Sequence, residues 1–122
     1  MLSEKDKHDL RARTKAFALR VIRLYVSLPK TTEAQVIGKQ VLRSGTSPGA
    51  HYREAIRARS TAEFISKIEG ALQELEETIY WLELLIEAGI VIESRLQDMI
   101  NEAKELISIF VSSVKTAKRR ND

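Results

Sequence analysis

Apolar residues recur along this chain at alternating spacings of three and four, which marks one face of an α-helix. The cleanest run is Ile65, Ile68, Leu72, Leu75, Ile79, Leu82 and Ile86. A second follows it, through Leu96, Met99, Ala103, Leu106, Phe110, Val114 and Ala117. Leu10, Thr14, Phe17, Val21, Leu24 and Leu28 form a third, broken only by Thr14. A weaker fourth passes through Ala34, Ile37, Val41, Gly45, Pro48, Tyr52 and Ala55.

Helix start and stop signals divide these runs. Pro29 disfavours the helical conformation at the residue before it, so the first helix is predicted from about Glu4 to Leu28. Thr31-Thr32-Glu33 opens the second, where a hydroxyl can cap free amides and an acid favours the positive helix end. It reads through to about Arg59. Ser60 stands three residues before Glu63, the capping-box spacing, and opens a third helix ending near Gly89. The fourth runs from about Ile92 to Ala117 and leaves a short polar tail. Helices of about 25 residues are roughly 37 Å long, so the four match in length. Short connections then predict an all-α, antiparallel up-down four-helix bundle in one domain, residues 1–122.

The soft spot is Ser44-Gly45-Thr46-Ser47-Pro48-Gly49. It reads either as a break, with Ser47 as N-cap and Pro48 at the first helical position, or as a continuous helix kinked near Pro48. The stripe keeps phase on both sides of Pro48, which favours the kinked helix against a cost of about 3 kcal/mol for an interior proline. The small residues would let a neighbouring backbone approach closely.

Composition narrows the class. In 122 residues, 43% are hydrophobic, enough for a core. The chain has no cysteine, which excludes disulfides, thiolate zinc sites and thiol nucleophiles. Few glycines and prolines argue against a strand-rich sandwich. Apolar runs are too short to span a bilayer. The opening Met1-Leu2-Ser3-Glu4-Lys5-Asp6-Lys7 lacks the hydrophobic stretch of a secretory signal, so a soluble cytoplasmic protein is expected.

Charge is strongly partitioned within a net +3. Residues 1–30 and 31–60 are basic, residues 61–90 strongly acidic and residues 91–122 nearly balanced. The heptad-spaced Glu69, Glu76 and Glu83 and the likewise spaced Arg13 and Arg20 suggest pairing between rows beside the helix-three and helix-one cores, within or between subunits. On helix two, Lys39, Arg43, Arg53 and Arg57 point away from the apolar stripe, and Lys118, Arg119 and Arg120 add a C-terminal cluster. Such cations neutralise phosphates and release counterions, making these seven the candidate nucleic-acid-binding residues; a solvated polar face or a surface for anionic proteins are the competing readings. Leu19, Ile22 and Val26 form a second apolar row on helix one, opposite the core stripe. A lone bundle buries one stripe per helix, so this row predicts a subunit contact.

Catalytic chemistry is missing from the pattern. Neither His8 nor His51 follows a glutamate by three residues, as carboxylate-bridged di-metal bundles require. There is no His-Glu-x-x-His, no phosphate loop and no dinucleotide fingerprint, so neither enzyme activity nor a cofactor is expected. His51, Tyr80 and Trp81 could stack on bases, but helical spacing favours structural roles.

Several segments carry a family resemblance. They are Phe17-Ala18-Leu19-Arg20-Val21-Ile22, Leu28-Pro29-Lys30, the run from Arg43 to Ala55, Arg57 to Phe64, Glu76 to Leu82, and Lys115-Thr116-Ala117-Lys118. Together they resemble the small bacterial four-helix-bundle proteins encoded in intervening sequences of 23S ribosomal RNA genes. The accessory variability determinant of diversity-generating retroelements is similar to the same family. The resemblance implies a ring-like homopentamer without enzymatic activity and, in the retroelement branch, binding to nucleic acid and a reverse transcriptase through a basic surface. The family usually has Ile where Pro48 stands and Asn where His51 stands.

Overall fold

Serine hydroxyls start two of the helices. Ser3 Oγ accepts from the Asp6 amide at 3.1 Å while the Asp6 carboxylate accepts from the Ser3 amide, a complete capping box. Ser60 Oγ likewise accepts from the Glu63 amide at 3.1 Å, but the Glu63 carboxylate reaches one residue further back, to the Arg59 amide. Thr31 does not cap through its hydroxyl, contrary to expectation. The Thr31 side chain nonetheless helps hold the Glu33 carboxyl below its ordinary range. Gly89, at φ 73°, supplies the left-handed turn after the third helix.

A computed structural model describes residues 2–121 and contains four helices: α1 Glu4–Ser27, α2 Thr32–Ala55, α3 Thr61–Glu87 and α4 Glu93–Asn121. They form an all-α up-down bundle in cyclic order α1-α2-α3-α4, with α2 and α3 most closely packed and the α1–α4 seam the most open. Two boundaries differ from expectation. Residues 56–60 leave α2 early to form a turn, because Ser60 must be extended to cap α3. The polar tail after Ala117 continues helical through Asn121.

Helix α2 runs unbroken through the buried Pro48. Ser44, Thr46 and Ser47 hydroxyls donate to carbonyls four residues back in the turn before it. The small residues bring α1 close: a Cβ on Gly45 would meet Val21, and one on Gly49 would meet Thr14. Thr14 is itself buried, its hydroxyl donating to the Leu10 carbonyl at 2.8 Å.

The expected stripes of α1 and α4 are all buried. On α3 the buried face is Phe64, Ile68, Ala71, Leu75, Thr78, Leu82 and Leu85, whereas Ile65, Leu72, Ile79 and Ile86 are only half-buried. The rotation follows from packing on α2, where Thr78 Oγ1 donates to Ser44 Oγ at 2.8 Å inside the core. Tyr52 of α2 is fully buried, and its hydroxyl donates to the Lys7 carbonyl at 3.1 Å. Burial pushes that phenol up to about 12, with the nearby Asp6 adding to the shift.

Candidate nucleic-acid interface and exposed apolar row

The seven candidate cations do not form one surface. Arg43 is bound to Glu74 and Glu77 of α3 and to Gln40 of its own helix. It therefore cross-links α2 to α3 and leaves the free basic strip. Lys118 lies 3.8 Å from Glu69, a long contact across the α3–α4 seam. Lys39 is exposed but sits about 21 Å along α2 from Arg53, at 1.5 Å rise per residue. Arg53, Arg57, Arg119 and Arg120 remain, half-buried or exposed, with no ion pair among the described residues. The up-down path puts the C-terminal ends of α2 and α4 at the same end of the bundle but on diagonal corners, so the two clusters stay apart. Basic side chains at both ends also complement the negative C-terminal helix dipole.

Two cations that the periodicity did not single out join Arg53 and Arg57. Arg11 and Lys15 are exposed on α1, and Lys15 faces Arg53 across a shallow cleft floored by Thr14, Ala18, Thr46, Gly49 and Ala50. At 100° per residue Arg11 falls on the same flank of α1 as Thr14 and Ala18. The signal that could have found them is an absence. The chain carries no carboxylate between Asp9 and Glu33, nor between Glu33 and Glu54. Antiparallel packing lays these two acid-free stretches side by side, so the α1–α2 face is cationic without internal neutralisation. Glu54, at its margin, is turned to α3, where it pairs with Lys67 at 3.3 Å and approaches His51. Acidic Asp6 and Asp9 line a different cleft, between α1 and α4.

The apolar row shares this face, toward the opposite end of the bundle. Leu19, Ile22 and Val26 are 42%, 41% and 69% exposed. Trp81 is half-buried and donates to Glu77 at 2.9 Å, while Tyr80 is exposed and meets the Trp81 ring edge-on at 5.0 Å between centroids. Within one chain, Arg13 does not pair with the helix-three glutamates. Arg13 bridges Glu102 at 2.8 Å and Glu105 at 3.1 Å on α4, because α1 and α3 occupy diagonal corners of the bundle. These carboxylates raise the Arg13 guanidinium above its ordinary value.

Among the described residues, no cluster of three or more His, Cys, Asp or Glu side chains could hold a metal ion, and no helix is long and apolar enough to cross a membrane. Comparison with known proteins gives a match over residues 6–112 to the model of the 23S rRNA-intervening sequence protein. The fold is similar to a crystal structure of a protein of unknown function from the S23 ribosomal protein family of Bacteroides thetaiotaomicron. That likeness has a TM-score of 0.84 and 38% identity, and covers 89% of this chain and 97% of the other. No curated protein matches.

Proposed function

The chain belongs to the 23S rRNA-intervening sequence protein family, and from that premise we propose that it is a non-catalytic, self-associating bundle that binds RNA or DNA through its α1–α2 face. The observation that carries this reading is the acid-free face bearing Arg11, Lys15, Arg53 and Arg57, none held by a carboxylate among the described residues. Free cations on a rigid surface exchange their counterions for phosphates, which gives sequence-tolerant and salt-sensitive affinity. Arg119 and Arg120 share this end of the bundle but stand on α4, diagonal to α2, outside this face.

Replacing Arg53→Glu together with Arg57→Glu tests this. Both side chains lie outside the core, so circular dichroism stays helical. Binding to a labelled single-stranded RNA, read by fluorescence anisotropy at low salt, falls at least tenfold. Unchanged affinity in the helical variant contradicts the proposal.

The exposed Leu19 row favours a second reading, a scaffold that meets only protein, with its cations used at subunit or partner contacts. Purified protein free of nucleic acid, unable to bind either RNA or duplex DNA yet retaining a protein partner after nuclease treatment, would select it. In the narrower form of the first reading that partner is a reverse transcriptase, recovered together with nucleic acid.

A further inference from the structure

The cationic face of α1 and α2 runs into a cavity at one end of the bundle. Lys7, Arg11 and Lys15 follow one another at four-residue steps, about 6 Å apart along one flank of α1. Arg53 and Arg57 take the same step on α2 and the turn after it. Both rows head for the end where α1 begins and α2 stops. There a cleft of about 450 Å³ opens between the start of α1 and the turn that joins α2 to α3. Leu2, Ile56, Ala58 and Phe64 give it apolar walls, and among the described residues Lys7 and Arg59 are the only charged side chains lining it. Lys7 meets only Glu4, at 3.4 Å, in a pair open to water that a phosphate can displace. The Arg59 side chain is exposed and has no ion pair among the described residues.

Beyond the cleft the sign of the surface changes. Glu4 is the next residue on the Lys7 flank of α1. Glu63 stands on α3, where its carboxylate accepts from the Arg59 amide at 3.2 Å. Asp6 lines the neighbouring α1–α4 cleft, and the α4 arginines lie on its far side. The row of cations therefore stops at an apolar hollow that carboxylates rim, and the next phosphate of a continuing strand would meet like charge.

We propose that this cleft takes the end of a single nucleic-acid strand, with the last base on its apolar walls and the last phosphate between Lys7 and Arg59. This rests on the nucleic-acid reading of the α1–α2 face and deepens it. A concave, mostly apolar site of this size with a few charged groups at its mouth suits one small flat body and its anionic group. A terminal base of a single strand reaches such a site at the lowest cost, since it has no pairing to break and one stacking neighbour to leave. A closed duplex end presents two strands and a stacked pair to a cleft with two cations.

Strands with and without ends separate this inference from the reading beneath it. A linear single-stranded RNA and a covalently closed circle of the same sequence each compete with a labelled strand for the unaltered chain, read by fluorescence anisotropy. The linear form binds roughly tenfold tighter, the order expected for one base taken up by a pocket. Leu2→Asp, placed before the first helix, and Arg59→Gln, on an exposed side chain, each narrow that ratio while circular dichroism stays helical. Equal affinity of line and circle for the unaltered chain, or a preference that either helical variant leaves intact, overturns the end-binding inference and leaves the α1–α2 face in place. Failure of the unaltered chain to bind either form overturns the nucleic-acid reading itself, and this inference with it.

Discussion

At Gly45 a methyl group would land 2.6 Å from one Val21 methyl, 3.0 Å from the other and 3.2 Å from Val21 Cβ. Gly45→Ala would gain about 1 kcal/mol of helix propensity. Val21 is fully buried and β-branched, with essentially one rotamer available in a helix, so it cannot turn aside. The helices must part instead, at an overpacking cost of about 1–3 kcal/mol. Gly45→Ala is therefore expected to lower stability by up to about 2 kcal/mol net, read as a reduced urea midpoint. Gly70→Ala is the control. The nearest atoms its new methyl would meet belong to the His51 ring, at 3.2 Å and beyond, on a side chain that is 33% exposed and free to shift. That variant should be neutral or slightly stabilised. The stripe positions were legible in the sequence at this scale, down to Thr14 and Gly45. What was not legible is which neighbour each residue meets, because spacing within one helix carries no information about the side chains of another.

Periodicity located α3 but misjudged its rotation. Large aliphatics at Ile65, Leu72, Ile79 and Ile86 drew the predicted stripe toward one flank, whereas the deepest positions include Ala71 and Thr78. Close packing on α2 selects small side chains, and a hydrophobicity pattern undervalues them. The intrachain partners of Arg43 and Arg13 were not legible for a related reason. Their carboxylate partners lie on other helices, at a register and cyclic order that only the assembled bundle defines. The α1–α4 seam follows from the same order: its backbones touch least, and Arg13 with its two glutamates bridges it. Replacing Arg13→Met keeps most of the stem packing and removes the bridge, leaving the half-buried Glu102 without its partner. The expected loss is about 1–2 kcal/mol, smaller at high salt, since the pair is only partly shielded from water. Hydrogen exchange should register it first as lowered protection in α1 and α4, with α2 and α3 little changed. Equal loss of protection in all four helices would show that the seam has no independence.

For the whole molecule the decisive feature is where carboxylates are missing. The partition between a basic half and an acidic α3 was legible from charge counts, and so was the presence of free cations near Arg53 and Arg57. The composite face was not, because it needs the acid-free stretches of α1 and α2 laid antiparallel, with Arg11 and Lys15 beside the α2 arginines. This difference has a measurable consequence. If four free cations meet phosphates, the logarithm of affinity for duplex DNA should fall with the logarithm of salt concentration at a slope near −3 to −4, about 0.9 per neutralised phosphate. Arg53→Gln should then reduce the slope by roughly one. Arg43→Gln should leave it unaltered while lowering thermal stability, because Arg43 already holds Glu74 and Glu77. Both arginines occupy one helix, and helix-two periodicity alone ranks them together. A slope that responds to Arg43 but not to Arg53 would mean that the α2–α3 bridge opens on binding and that the α1–α2 face is not where phosphates lie.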